Sequence, residues 1–181
     1  MLSDQEIVKR VRDGRTHDFR WLIQRYHTCV YAIAYGILRR REDAEDVVQD
    51  VFVKVFRYLH TYSDDRSFWS WVRRIAVNCC LDRLPTDIPT EDIEQIADHR
   101  QPFIDNVEAG FLGRCEDEIT DSAVAGLPAA YRIVVVLRYF DGMTTGEIAE
   151  LLSMPAGTVR ARLHRALKML AQRLAVVRDE L

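Results

Sequence analysis

The sequence predicts an all-α protein with two small helical domains, a four-helix N-terminal bundle and a C-terminal helical domain with a helix-turn-helix, joined by an acidic linker. Three observations support this fold class. The 181 residues are 48% apolar, which suffices for one compact core or two small ones. Apolar residues recur at steps of three and four, as in amphipathic helices, and no segment reads convincingly as a strand. An acidic stretch with little apolar periodicity separates the two helical parts.

The N-terminal domain is predicted over residues 1–85, and its first two helices have recognisable start signals. Ser3 and Glu6 form a Ser-x-x-Glu capping box that opens a short first helix. Thr16 is placed to cap the second helix, which the basic run 39–41 closes, because cations suit a helix C-terminus.

The third helix, from about residue 42 to 59, carries the strongest periodic signal in the chain. Its apolar stripe predicts one continuous buried face. A fourth helix is expected over residues 68–84, with Pro85 ending it. Four helices in 85 residues make a compact bundle. The stripe consists of Ala44, Val47, Val48, Val51, Phe52, Val55, Phe56 and Leu59.

Residues 86–122 differ in character from the rest of the chain. They contain eleven acidic side chains, two arginines and two prolines. Such a composition buries little apolar surface and is typical of a linker. The last part of this segment, from about Arg114, is open to a second interpretation as the start of the next helix.

The C-terminal domain, residues 123–181, contains helix-turn-helix spacing in TTGEIAELLSMPAGTVRARLHRALKML. A short helix is followed by a turn of three to four residues and then by a longer helix. A helix that enters the major groove needs donors for base edges and phosphates. The side chains predicted to point outward from the longer helix are Arg160, Ala161, His164, Arg165 and Lys168.

The cysteines and the termini exclude several classes of protein. None of the four cysteines forms a CxxC pair, and we predict no metal site, no cofactor and no catalytic residues. No run of 18 apolar residues occurs, so membrane insertion is not expected. The polar start MLSDQEIVKR lacks an apolar signal core, which predicts a cytoplasmic protein with reduced thiols.

Two blocks of sequence resemble the bacterial RNA polymerase sigma factors of the sigma-70 family, in the small extracytoplasmic-function (ECF) class. DAEDVVQDVFVKVFRYL and FWSWVRRIAVNCCLDRL resemble the region that binds polymerase and opens the −10 promoter element. LPAAYRIVVVLRYFDGMTTGEIAELLSMPAGTVRARLHRALKML resembles the region that reads the −35 element. The resemblance implies a transcription initiation factor, not an enzyme, whose partners are core RNA polymerase (the β′ clamp and the β subunit), promoter DNA and an anti-sigma factor.

The outer face of the third helix is the expected polymerase-binding surface. Three of its acids follow at i, i+3 and i+7 and therefore share a side. An ordinary solvated helix face is the alternative, but the resemblance implies docking on the basic clamp helices of the β′ subunit. The predicted polymerase-binding residues are Asp43, Asp46, Gln49, Asp50 and Lys54.

The polar loop 61–67 and the fourth helix are the expected reader of melted −10 DNA. Capturing an unstacked base requires a pocket, aromatic faces and cations. The resemblance places Trp71 in the core. It leaves Trp69 open, as an extra stacking surface or a partly covered aromatic. The −10 candidates are Tyr62, Ser63, Asp64, Arg66, Trp69, Arg73, Arg74 and Asn78.

The longer helix of the helix-turn-helix is the expected −35 reader. Arg162 is the weakest candidate, because it can pair internally. The full set is Thr158, Arg160, Arg162, His164, Arg165 and Lys168. One feature departs from the family pattern. Leu84 and Pro85 follow the Asn-x-x-x-Asp-Arg motif at once, where further basic residues are usual.

The net charge of −3 is an average over unlike parts. Each predicted helical domain carries +3 and the linker carries −9. This pattern suggests the hypothesis that the linker shields the DNA-reading faces of the free protein.

Two other functions remain open at this point. One is a helix-turn-helix regulator that binds duplex DNA without polymerase. The other is a metal-dependent hydrolase using the acids of the third helix, disfavoured because no histidine accompanies them.

Overall fold

The computed structural model of the protein describes residues 2–84 and 118–179, and every regular element in these ranges is helical. The chain divides after Leu84 into two compact units. The all-α prediction with two helical units is therefore confirmed. The first unit holds α1 (Asp4–Arg12), α2 (Phe19–Leu38), α3 (Arg41–Tyr58) and α4 (Phe68–Leu81), and the second holds α5 (Glu118–Ala125), α6 (Ala129–Val135), α7 (Thr145–Leu151) and α8 (Ala156–Asp179).

Most of the predicted acidic linker, residues 86–117, lies outside the described residues. Its last residues belong to α5, which begins at Glu118. No helix within the described ranges is long and apolar enough to span a membrane.

The capping box of α1 is present as predicted. The Glu6 amide donates to Ser3 Oγ, and the Ser3 amide donates to the Glu6 carboxylate at 2.7 Å. The Ser3 amide and the Ser3 hydroxyl both donate to the Glu6 carboxylate, and these bonds to the charged form lower the pKa of Glu6. Ile7, Val8 and Val11 are buried and seat the helix on the unit.

The start of α2 differs from the prediction. Thr16 belongs to a 3₁₀ turn, Thr16–Asp18, and α2 begins at Phe19 without a side-chain cap. Asp18 occupies the capping position, but it is buried beside His17 Nε2, 3.2 Å from its carboxylate. Its carboxylate oxygens therefore do not accept hydrogen bonds from the first amides of α2.

The junction of α2 and α3 consists of Arg39 and Arg40, of which Arg39 is left-handed. Arg39 has a φ of 62°, so the chain reverses directly after Leu38. Arg41 already belongs to α3, where its Nε lies 2.9 Å from Glu45 Oε1. The basic run 39–41 thus closes one helix and opens the next.

The apolar stripe of α3 forms the centre of the first core. All of its predicted members are buried except Phe56, which is 46% exposed, so this part of the prediction was wrong. Phe56 lies at the edge of the stripe and meets α2 through the ring of Phe19, with ring centroids 5.1 Å apart.

Helix α4 ends at Leu81, three residues before the predicted end. Asp82 is its C-cap, and the amides of Arg83 and Leu84 bond back three residues, which tightens the last turn. The Arg83 side chain reaches across to α3, and this contact accompanies the early end of the helix. Pro85 lies outside the described residues.

The second unit follows its predicted order. Pro128 is the N-cap of α6, which continues through a π turn, Val136–Phe140. Gly142 adopts a φ of 71° in the following turn. Thr144 caps α7 in a full capping box with Glu147. The buried residues include Val124, Ile133, Val134, Leu137, Ile148, Val159, Leu163, Ala166 and Leu170.

Candidate nucleic-acid interface

The helix-turn-helix of the second unit is built from α7 and α8. The chain leaves α7 with the Met154 amide bonded to the Ala149 carbonyl at 3.0 Å, and Ser153 adopts a φ of 52°. The amides of Thr158 and Val159 bond to the Pro155 carbonyl, which starts α8. The apolar face of α8 then packs inward and leaves the opposite face exposed.

That opposite face presents a basic row. Arg160, His164 and Lys168 are exposed and follow one another at steps of four, so they lie on one side of α8. Within the described ranges, none of the three makes a hydrogen bond or an ion pair with another residue. We call these three residues the basic row.

The other three −35 candidates lie at the flanks of the basic row. Thr158, Arg162 and Arg165 are half-buried. Burial lowers the pKa of Arg162, while the neighbouring Tyr131 acts in the opposite direction. Arg165 already has a contact within the protein. The candidate set therefore separates into an outward row and a partly covered flank.

The acidic side of α3 carries its own counter-ions. Arg83 Nη2 lies 2.5 Å from Asp50 Oδ2, and Arg83 Nη1 lies 3.5 Å from Asp46 Oδ2. Arg83 also donates to the Asp43 carbonyl, while Arg40 pairs with the Asp43 carboxylate at 3.5 Å. The three acids keep side-chain exposures of 35% to 65%. We call this group of three acids and Arg83 the paired acidic face.

Lys54 lies on the same side of α3 and contacts the end of α4. Its Nζ donates to Cys79 Sγ at 3.3 Å and lies 3.8 Å from Asp82 Oδ2. The hydrogen bond to Cys79 raises the pKa of Lys54. Lys54 therefore links α3 to α4, while Gln49 is exposed on the same helix.

Helix α4 and the loop before it bring most of the −10 candidates to the surface. Arg74 and Asn78 are exposed one turn apart. Arg73 is half-buried and has a contact within the protein. Ser63, Asp64 and Arg66 are exposed in the loop.

Tyr62 is the clear exception among the −10 candidates. Only 5% of it is exposed, and its ring packs edge-on against Phe68 at 5.2 Å between centroids. Its hydroxyl donates to the Arg66 carbonyl at 2.8 Å. Burial raises its pKa. Tyr62 is thus a core residue that fastens the loop, and its ring is not a free stacking face.

The two tryptophans of α4 have different surroundings. Trp71 packs against Tyr62 and Phe68 but is only half-buried, so it does not reach the core position that the resemblance implies. Trp69 stacks on Tyr26, with centroids 5.5 Å apart and planes 5° from parallel. Trp69 is therefore a partly covered aromatic, and its half-exposure leaves room for a further contact.

Sequence reasoning missed two arginines that organise these surfaces. Arg83 lies two residues after the end of α4, and its role became visible only from the packing of α4 on α3. Arg12 bonds the carbonyl of Leu59, 47 residues away. No local pattern predicts a contact of that separation.

The described residues contain no group of three or more histidine, cysteine or acidic side chains placed to hold a metal ion. Cys29 is exposed, whereas Cys79 and Cys80 are buried. Burial raises the pKa of the Cys80 thiol to about 12. Cys115 lies outside the described residues.

These features define a class: an all-helical protein with a DNA-binding helix-turn-helix in one unit and a separate helical bundle in the other. The sigma-70 region 2 family matches residues 22–86, and the sigma-70 region 4 family matches residues 117–170. The chain belongs to the ECF class of RNA polymerase sigma factors. It is a transcription initiation factor that directs polymerase to promoters, and the alternative of a polymerase-independent regulator is not favoured.

The family assignment rests on relatives that align along nearly the whole chain. The ECF RNA polymerase sigma-E factor of Haemophilus influenzae is 32% identical over 186 residues, covering 96% of each chain. The RNA polymerase sigma-H factor of Pseudomonas aeruginosa is 32% identical, covering 91% of this chain and 90% of the relative. The Escherichia coli sigma-E factor is 33% identical, with 91% of each chain covered.

A solved structure has the same fold. It is the sigma factor RpoE in complex with the anti-sigma factor NepR from Bartonella quintana. Its TM-score is 0.64 at 20% identity, over 88% of this chain and 98% of that chain. At this identity the likeness concerns the fold alone.

Proposed function

We propose that the two modules of this sigma factor divide promoter recognition between them. Residues 123–181 read the −35 element as duplex, residues 1–85 bind polymerase and read the melted −10 element, and residues 86–122 link them. The observation that carries this division is the basic row of α8, which sits on the helix-turn-helix of the second unit.

The basic row supports readout of −35 DNA in the major groove. An exposed arginine near the start of a recognition helix can donate two hydrogen bonds to a guanine edge. Lys168 lies two turns further along and suits a phosphate contact. His164 lies between Arg160 and Lys168, where it can donate to a base edge or to a phosphate. Thr158, Arg162 and Arg165 flank the row and support it from the side.

The paired acidic face supports docking on polymerase. Its Asp46 and Asp50, together with the neighbouring Gln49, are exposed and offer acceptors to a basic partner surface. Because Arg83 already neutralises part of this charge, docking exchanges one set of ion pairs for another. The net gain then comes from complementarity and from the nearby apolar surface of Val53, which is 61% exposed.

Helix α4 and its preceding loop support capture of melted −10 DNA. Arg74 and Asn78 offer a cation and an amide on one face, and Arg73 borders them. Ser63, Asp64 and Arg66 offer exposed groups that suit the edge of an unstacked base. Trp69 adds a half-exposed ring. Tyr62 contributes by holding the loop.

An anti-sigma factor is a further proposed partner. The fold is shared with a sigma factor solved in complex with the anti-sigma factor NepR. We further propose that this protein acts in the cytoplasm, where its polymerase is, and performs no catalytic step of its own.

A promoter run-off assay tests the division. Core polymerase is combined with this chain on a promoter found by mapping transcription start sites after overexpression. We expect start-specific transcripts that are lost when either the −35 or the −10 element is scrambled. Promoter-blind transcription in the presence of the chain would overturn the proposal. Matched transcription by the isolated core enzyme is the control.

A further inference from the structure

A side chain of α1 holds the backbone that leads into the proposed −10 loop. Arg12 donates from Nε and Nη2 to the Leu59 carbonyl, at 3.2 and 2.7 Å. Its Nη2 also donates to the Tyr62 carbonyl. These bonds are partly buried and join residues 47 and 50 positions apart. One planar cation thus spans the turn that ends α3.

The other side-chain ties of this turn are local: the Thr61 hydroxyl donates to the Tyr58 carbonyl at 2.8 Å, and His60 Nδ1 lies 3.1 Å from the Arg57 carbonyl. Arg12 differs from these because it reaches the turn from α1. Leu59–Thr61 forms a single 3₁₀ turn, closed by the Tyr62 amide on the Leu59 carbonyl at 3.3 Å. At its far end the loop is held by the Tyr62 hydroxyl on the Arg66 carbonyl. Ser67 then caps α4 by accepting from the Ser70 amide. Between these two anchors lie the exposed side chains of residues 63–66.

We infer that Arg12 is a positioning residue for capture of single-stranded −10 DNA, an inference that rests on the proposed function. A loop that binds an unstacked base gains affinity when its ordering cost is met before binding. Charged hydrogen bonds to two carbonyls provide that order in the free protein. Arg12 lies outside residues 22–86, the range matched by the region 2 family.

Packing and positioning are separable in α1. The helix is seated by Ile7, Val8 and Val11, all buried. The guanidinium of Arg12 contributes to neither this packing nor the capping box at the other end. Lysine at this position keeps the charge, but it lacks the planar fork that spans two carbonyls. Arg12→Ala and Arg12→Lys therefore report on loop order.

The test uses holoenzyme assembled from core polymerase and the full chain. The probe is a fluorescent single-stranded oligonucleotide carrying the non-template −10 segment of the mapped promoter. Two variants of α1 are controls. Lys9→Ala removes an exposed charge, and Val8→Ala loosens the packing of the helix while keeping the Arg12 guanidinium. Polymerase affinity and binding to −35 duplex are measured in parallel.

We expect Arg12→Ala to weaken single-strand binding by about tenfold, which corresponds to about 1.4 kcal/mol, with unchanged polymerase affinity and −35 binding. Arg12→Lys should recover part of the loss, and Lys9→Ala should match the wild type. Equal losses in Arg12→Ala and Val8→Ala at matched thermal stability would overturn the inference, as would wild-type affinity in Arg12→Ala. Failure of the wild-type holoenzyme to bind the strand would instead count against the proposed function.

Discussion

The acidic face of α3 and the basic row of α8 are both charged helix surfaces, yet they differ in how their charges are partnered. On α3, Arg83 contacts two carboxylates and a carbonyl. On α8, Arg160, His164 and Lys168 are exposed and pair with no other residue of the described ranges. The charge of the first surface is partly neutralised before it meets a partner, whereas the cations of the second have no partner within the described ranges.

The difference indicates two modes of binding. A surface with internal ion pairs must exchange them, so charge there favours orientation more than affinity. Unpaired cations instead displace counter-ions from DNA phosphates, and their affinity falls steeply with salt. We therefore expect a shallower dependence on salt for polymerase docking than for −35 binding.

The largest expected effect comes from removing a buried side chain that packs the basic-row helix, α8, into the second unit. Leu163 is fully buried on the inner face of α8. Leu163→Ala should cost about 2–5 kcal/mol in the free energy of unfolding of the second unit. Binding to −35 duplex should fall with it, although the basic row is unchanged. Denaturant unfolding and band-shift titration measure both. Gln172→Ala, at an exposed position of α8, is the control, and intact binding by Leu163→Ala would contradict the expectation.

A smaller effect should follow from removing a cation of the basic row. Arg160→Ala should cost about 1–3 kcal/mol of binding free energy on the preferred −35 sequence and less on altered sequences. Lys168→Ala should weaken binding evenly and reduce the log–log salt slope by about 0.9. Titrations across −35 base changes and several salt concentrations separate the two. An equal loss on every sequence would make Arg160 a phosphate contact.

The paired acidic face should respond more weakly. A double-mutant cycle of Asp50→Ala and Arg83→Ala should give a coupling of about 0.2–1 kcal/mol in the free energy of unfolding, because Asp50 is half-exposed.

Arg83→Ala should also make polymerase binding more sensitive to salt, since it leaves the carboxylates unneutralised. Titrations of core polymerase at low and high salt check this. Arg57→Ala, an exposed charge change on α3, is the comparison, and an unchanged salt response would contradict the exchange of ion pairs.

The smallest effect concerns Lys54. Its hydrogen bond to Cys79 raises its pKa above the ordinary 10.5. A raised lysine pKa gives a stabilisation that is complete below about pH 10.5 and is lost as pH rises through the shifted value. Wild type should therefore be slightly more stable than Lys54→Met at neutral pH, and the difference should shrink at alkaline pH. Denaturant unfolding across this range measures it, and a constant difference would show that the charge plays no part.

Local sequence signals predicted much of the fold because their causes are local. The capping box at Ser3 and most of the stripe of α3 are short-range patterns, and the structure reproduces them. The failures have a different origin. Thr16 was displaced as a cap by a 3₁₀ turn, and Phe56 stays 46% exposed although its ring contacts Phe19 of α2. Both depend on a neighbouring element that periodicity does not describe.

The candidate site shows the same division. Spacing alone predicted that Arg160, His164 and Lys168 share the outer face of α8, because helical geometry sets that relation. Whether Tyr62 was a surface ring or a core ring depended on the packing of Phe68 and Trp71 around it. The assignment of that residue therefore required the tertiary structure.

The sequence by itself determined the helical class, the order of the two modules and the outward cations of α8, since these follow from 3.6-residue periodicity and turn chemistry. Only the tertiary structure decided that Arg83 neutralises the acids of α3 and that Arg12 fastens the turn after α3. Those contacts join residues 33 to 50 positions apart. Their energies depend on distance and burial in three dimensions, which a linear pattern does not contain.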